Sequence, residues 1–196
     1  MKLIVIEGTD RTGKSTLIKK LCEHYNYDNV TIRHFGKPKV TEGTNVKYLQ
    51  SAIFKFECEL VKRIKDIEIL ENKNYFENVI IWNRSHFGEY IYGQLYRNYT
   101  REEAYEIVSN INVILKHVNV DSLHIIHLYG DPEFIIKNED GQSFGKTVED
   151  KEKELKLFFE IFNRQLVFNI NHIKVNDGDS FKSKQEIFNE VLNIIE

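Results

Sequence analysis

The sequence predicts a three-layer α/β domain in which a parallel β-sheet is covered by helices on both faces. Three observations predict it. Short β-branched apolar runs alternate with longer segments of helical period. The runs are apolar on both faces, as buried parallel strands require. A glycine-bearing segment of the form G-x-x-x-x-G-K-S joins the first run to the first helix.

Taken in order, Lys2–Ile6 is the first expected strand, and Leu17, Ile18, Leu21, Cys22 and Tyr25 follow at helical spacing after Ser15. Val30–Arg33 is the second strand. A long second helix, spanning residues 46 to 71, carries Leu49, Ile53, Phe56, Leu60 and Ile64 on one face. Asn78–Trp82 is the third strand. Ala104, Ile107, Ile111, Ile114 or Leu115, and Val118 mark a further helix, opened by Thr100 with Glu103 three residues on, the pattern of a capping box. Leu123–Tyr129 and His172–Val175 complete the strands. Between them Leu155, Phe158, Phe162 and Leu166 mark a helix, and Ser183 with Glu186 caps the last one.

A chain of 196 residues suits one domain, and with two prolines and no Gly/Ser-rich tract no linker divides residues 1–196. With 27 Lys+Arg against 30 Asp+Glu the net charge is −3, which is no footprint for a nucleic-acid ligand. Cys22 and Cys58 cannot build a disulfide framework and lack metal-knuckle spacing. There is no apolar stretch of about 18 residues, and Leu3–Ile6 is too short for a signal-peptide core. The expectation is a soluble cytoplasmic protein with no membrane partner.

Gly8-Thr9-Asp10-Arg11-Thr12-Gly13-Lys14-Ser15 matches a phosphate-binding loop at every required position, between a strand and a helix as the motif demands. Gly8 and Gly13 let the backbone aim its N–H groups at phosphate oxygens, Thr12 and Thr16 belong to the same cradle, Lys14 reaches the β/γ-phosphates, and Ser15 ligates Mg²⁺. The implied cofactors are ATP and Mg²⁺. No N-K-x-D guanine motif occurs, because Asn72-Lys73-Asn74-Tyr75 lacks the Asp. What remains is mostly kinases of small molecules.

Glu7-Gly8-Thr9-Asp10-Arg11-Thr12-Gly13-Lys14-Ser15-Thr16 resembles the phosphate loop of thymidylate kinases, where an Asp-Arg pair sits inside the loop. Ile81-Trp82-Asn83-Arg84-Ser85-His86 resembles the D-R-[YSH] motif of thymidylate kinases and phage deoxynucleoside monophosphate kinases. Tyr92-Gly93-Gln94-Leu95-Tyr96-Arg97 is similar to the helix that follows in the phage proteins, and Asp177-Gly178 to the adenine-binding loop. The resemblance implies a five-stranded parallel sheet of order 2-3-1-4-5, a short lid over residues 137–147 and transfer of phosphate from ATP to a deoxynucleoside monophosphate, dTMP foremost. It also implies a homodimer, for which the long second helix offers a face.

By the same resemblance Arg11 supplies the transition-state cation, since the lid segment Lys137–Lys146 contains no Arg. Arg84 would hold the acceptor phosphate, and Asp10 would contact the acceptor sugar. Arg33 stands where the family's R-E-P segment binds the acceptor, but no acid follows it. A nucleoside hydroxyl needs a carboxylate base whereas a monophosphate oxygen is already anionic, so the missing acid favours a monophosphate acceptor, with Glu7 and Glu89 left as alternative carboxylates. Asn83 replaces the family's Asp, and an amide is the weaker ligand for Mg²⁺. Tyr92, Tyr96 and Tyr99 form a stripe that either stacks on a base or packs against the long helix, while Phe35 and Phe54 are candidate pocket walls. A deoxynucleoside kinase and a nucleotide-binding protein with weakened catalysis stay open as alternatives.

Overall fold

A computed structural model of the chain describes residues 1–38, 42–70, 78–118, 120–141, 143–165 and 168–196, excluding the side chain at position 68. The expected helical position Leu166 and the expected end of the second helix at Glu71 lie outside the described residues, as does Gln142 of the lid segment.

The elements run β1 (Lys2–Glu7), α1 (Lys14–Tyr25), β2 (Val30–His34), α2 (Val46–Leu70), β3 (Val79–Asn83), α3 (Phe87–Tyr96), α4 (Arg101–Lys116), β4 (Ser122–Tyr129), α5 (Pro132–Lys137), α6 (Val148–Asn163), β5 (Ile170–Lys174), a short hairpin β6 (Asn176–Asp177) and β7 (Ser180–Phe181), and α7 (Lys184–Ile195). Five strands form one parallel sheet in the order β2-β3-β1-β4-β5, the expected order. Capping boxes open α4 at Thr100/Glu103 and α7 at Ser183/Glu186, as read from the sequence, and a third opens α6 at Thr147/Asp150.

Alternation along β1 divides the core. Leu3 and Val5 pack with Ile80, Trp82 and Ile125 under α2, α3, α4 and α6, while Ile4 and Ile6 pack with Ile81, Ile126 and Leu128 under α1 and α7. Each fully buried aliphatic side chain contributes about 1.5–3 kcal/mol, so a strand buried on both faces is worth more than an amphipathic one. The rule fails at β2, an edge strand whose Ile32 is 45% exposed. Its apolar residues serve propensity there rather than burial. Helices α3 and α5 escaped the periodicity reading for two reasons. Every residue of Phe87–Gly93 in α3 is buried, which leaves no polar face, and α5 has only six residues.

Register brings the functional segments together. Ile6 faces Asn83 and Glu7 faces His127 across the ladders, Arg84 N donates to Ile6 O at 2.9 Å, and Phe35 N donates to Asn83 O at 3.0 Å. The segments after β1, β2 and β3 therefore open into one crevice at the carboxyl ends of the strands, where open α/β sheets bind ligands.

Candidate active site

The loop after β1 is wound by residues in the left-handed region: Gly8 has φ 140°, Arg11 φ 70° and Gly13 φ 82°. Gly8 is required sterically, since a Cβ there would stand 2.1 Å from the Leu128 carbonyl oxygen. Gly13 caps α1 without a side-chain hydrogen bond, leaving the first N–H groups of the helix for an anion. Thr12 Oγ1 donates to Thr9 O at 2.9 Å and braces the loop.

Lys14 is buried and its Nζ donates to the carbonyls of Gly8, at 2.8 Å, and Thr9, at 2.5 Å. Burial pushes its ammonium down to about 7, and the Arg84 guanidinium adds to the effect against Asp10 and Glu7. Beside it Glu7 is fully buried. Ser85 Oγ donates to Glu7 Oε1 at 2.6 Å, while Oε2 has no partner among the described residues. Burial pushes this carboxyl up to about 7, outweighing Ser85, Arg84 and Lys14.

Glu7 thereby carries a stability cost that depends on pH. Between pH 4.5, its ordinary value, and about 7, the native protein keeps a proton that the unfolded chain has lost, so this group's contribution is present at low pH and lost as pH rises through 7. Glu7→Gln keeps an oxygen for Ser85 and removes the charge. The variant is expected to be about 1–3 kcal/mol more stable than the wild type at pH 8, with the gap nearly closed at pH 5. Urea denaturation at both pH values measures it, and equal gaps would show that the carboxylate is not the cause.

Two large cavities flank the loop. The first, about 510 Å³, is lined by Gly13, Lys14, Ser15, Thr16, Asn83 and neighbours; the second, about 670 Å³, by Lys37, Asp140, Phe144, Lys146 and others. Asp10, Arg11, His34 and Arg84 line both. Arg84, itself at φ 68°, pairs with Asp10 and lies over the Tyr92 ring. Arg11 reaches across the crevice to pair with Asp140 of the lid segment. A third recess, of only about 20 Å³, joins Phe35, Gln50, Phe54, Arg84, Glu89, Tyr92, Arg97 and Phe144. Within it the Phe35 and Phe54 rings lie 4.9 Å apart, and Arg97 pairs with the buried Glu89.

A further apolar cavity of about 370 Å³ lies beside α1, lined by Thr12, Gly13, Thr16, Leu17, Phe181, Lys182 and Ile187 among others. Asp177 ends β6 and Gly178 opens the turn of the β6–β7 hairpin, and neither is in the cavity lining; the wall comes from Phe181 and Lys182 after the turn. Arg33 also stands apart from the cavities. It forms a two-point pair with Glu57 of α2, a carboxylate that the sequence reading did not weigh. Of the tyrosine stripe, Tyr92 faces the recess, Tyr96 donates to Glu154 Oε1 at 2.8 Å, and Tyr99 covers Gly93.

The described residues of the lid segment after α5 make several contacts. Glu139 Oε1 accepts from the backbone N–H groups of Asp140, Gly141 and Ser143. Phe144 stacks on Tyr96 with centroids 4.9 Å apart, and a Cβ on Gly145 would meet Glu154 Oε1 at 2.7 Å, so the loop sits directly on the Tyr96–Glu154 pair. Lys151 donates to Glu154 Oε2 at 3.2 Å, and both are buried. This ion pair lies in the charge-rich first half of α6, where charge alone does not say which face of the helix is covered.

For Mg²⁺ the fit is that of a metal arriving with a nucleotide. No group of three or more His, Cys, Asp or Glu side chains that could hold an ion exists among the described residues. Ser15 lines the cavity of about 510 Å³, and Asn83 Oδ1 is buried with no partner among the described residues. One hydroxyl and one amide oxygen suit an ion that takes its other ligands from phosphate and water.

No protein-family model matches the chain. Over 78 residues it is 37% identical to a protein of Invertebrate iridescent virus 6 named "Putative thymidylate kinase 251L", a match that takes in 38% of this chain and 33% of that protein. The chain thus spans about a third of that relative's length. Solved structures match it end to end. A thymidylate kinase from Candida albicans superposes with a TM-score of 0.60 at 19% identity, over 98% of this chain and 90% of that one. The YorR protein of Bacillus subtilis, solved with phosphorylated GDP, gives 0.61 at 18% over 98% and 95%, and a thymidylate kinase from Ehrlichia chaffeensis gives 0.57 at 14% over 100% and 98%. Sheet order and these likenesses together show that the chain has the fold of these solved structures, with a phosphate-loop sequence after its first strand.

Proposed function

We propose that the chain transfers the γ-phosphoryl group of ATP to a deoxynucleoside monophosphate, with dTMP or a related pyrimidine nucleotide as the favoured acceptor. The observation that carries the reading is the pair of large cavities that meet at Asp10, Arg11, His34 and Arg84, one of them containing the phosphate loop. A phosphate oxygen of the acceptor attacks the γ-phosphorus, the bond to the β,γ-bridging oxygen breaks, and ADP leaves. Mg²⁺ bound with the nucleotide would neutralise charge on the β- and γ-oxygens, with Ser15 and the Asn83 carbonyl oxygen as the residues placed to hold it or its waters.

The remaining roles follow from placement. Lys14 and the N–H groups of Gly8–Thr16 hold the donor phosphates, and the apolar cavity walled by Phe181 and Ile187 takes the adenine. Arg84 holds the acceptor phosphate, Asp10 the acceptor sugar, and the recess of Phe35, Phe54 and Tyr92, which must widen from its resting volume of about 20 Å³, takes the base, with Gln50 and Arg97 as its polar edge. Closure of the lid segment, residues 137–147, over this site excludes water.

The test is ATP-dependent ADP release with Mg²⁺ against dTMP, dUMP, dGMP, dCMP and dAMP, with thymidine and deoxycytidine alongside. Turnover with one or two monophosphates is expected. Turnover only with nucleosides would replace the reading by a deoxynucleoside kinase. ATP binding without any transfer would indicate a nucleotide-binding protein, a reading that Asn83 in place of a carboxylate favours.

A further inference from the structure

The four residues lining both large cavities stand where a phosphoryl group would pass between two bound nucleotides. Three of them have charged partners at rest, Arg84 with Asp10 and Arg11 with Asp140. His34 differs. It is exposed at the carboxyl end of β2, and Asn83 Nδ2 donates to its Nδ1 at 2.8 Å. An amide nitrogen only donates, so Nδ1 accepts and the neutral ring carries its proton on Nε2. Gly36 lines the same cavity, and a Cβ there would touch Nε2 at 3.6 Å, so it is the glycine that leaves this edge of the ring open.

We propose that His34 is a further substrate-contacting residue of this site, donating its Nε2–H to a non-bridging phosphate oxygen at the junction of the two nucleotides, with Asn83 as the positioning residue that sets the tautomer. The inference rests on the phosphotransfer reading above. A neutral donor suits this place. Lys14, Arg11 and Arg84 already bring three cations to the crevice, and a hydrogen bond from a neutral ring adds stabilisation of developing oxyanion charge without further cation repulsion.

The replacement of a carboxylate by Asn83 then has a specific role. A carboxylate at position 83 would accept from Nδ1–H, moving the ring proton away from the cavity side or holding the ring as imidazolium; the amide instead donates and leaves Nε2–H as the cavity-side donor.

The test uses a bisubstrate analogue in which five phosphates join adenosine to the nucleoside of the best acceptor, measured by calorimetry on the full chain. His34→Ala is expected to weaken the analogue about tenfold or more while ATP alone changes by less than about threefold, and His34→Gln, which keeps an N–H donor, recovers most of the loss. In ¹⁵N spectra, His34 of the free protein is expected to carry its proton on Nε2, and that resonance shifts when the analogue binds. Analogue affinity of His34→Ala within about twofold of the wild type, or an Nε2 resonance unmoved by the analogue, overturns the inference. A wild type that transfers phosphate while His34→Ala behaves identically sinks this inference alone, whereas a wild type that transfers to no acceptor sinks the phosphotransfer reading and this with it.

Discussion

Arg11→Ala is expected to lower kcat about 1,000-fold while the dissociation constant for ATP changes by less than about threefold. The expectation rests on where the guanidinium lies. It projects from the phosphate loop into both large cavities and is held at rest by Asp140, so a bound nucleotide pair can draw it off that carboxylate onto the transferring group. Charge on the phosphoryl oxygens is greatest in the transition state, and a cation engaged there contributes to turnover rather than to ground-state affinity. Arg11 occupies a left-handed conformation at φ 70°, which costs a non-glycine residue about 1–2 kcal/mol. Arg11→Gly is therefore expected to match Arg11→Ala in kcat yet to unfold at a higher temperature. Steady-state kinetics with ATP titrations on both variants measure this, and an unchanged kcat in Arg11→Ala would remove Arg11 from the chemistry.

Lys14→Met is expected to reduce kcat about 100- to 1,000-fold and, unlike Arg11→Ala, to weaken ATP binding as well. It also removes a pH dependence. In the free protein the ammonium is pushed down to about 7, and nucleotide phosphates would draw it back up, so binding takes up a proton above pH 7. Wild-type affinity for ATP is therefore expected to fall as pH rises beyond 7, and the variant to lose that slope. Stability moves in the opposite sense. Because the unfolded chain holds the Lys14 proton between about 7 and 10.5, the cost of the buried ammonium is full below pH 7 and relieved as pH rises through that window. Lys14→Met is accordingly expected to gain stability over the wild type at pH 6 and to lose that advantage by pH 9. Thermal melts at the two pH values decide it; a variant equally destabilised at both would mean that the Gly8 and Thr9 carbonyls need the ammonium more than burial penalises it.

The phosphate loop was legible because its chemistry is local. Gly8, Gly13, Lys14 and Ser15 act through backbone conformation and consecutive N–H groups, which sequence spacing specifies directly. The buried polar layer at the strand ends was not legible in this way. Glu7 and Asn83 stood out in the sequence as an alternative carboxylate and a weak Mg²⁺ ligand, but their partners did not, because only parallel register brings Ser85 onto Glu7 and His34 onto Asn83. The pairing of Arg33 with Glu57 spans 24 positions and carried no sequence signal, since any surface acid could have answered that arginine. Lys151 and Glu154 were hidden in a charge-rich helix for the same reason.

The sequence by itself determined the layer architecture, the strand-to-helix alternation, the phosphate loop and the three-residue spacing of the helix caps at Thr100 and Ser183, because each depends on periodicity or on contacts within a few residues. Tertiary structure alone decided that β2 is an exposed edge, that Arg11 meets Asp140 across the crevice, that Phe144 and Gly145 seat the lid loop on Tyr96 and Glu154, and that His34 stands between the two cavities. The physical reason is the same in each case. Backbone propensity and capping are short-range in the chain, whereas burial, charge pairing and the sharing of a cavity depend on which distant segments the sheet register sets side by side.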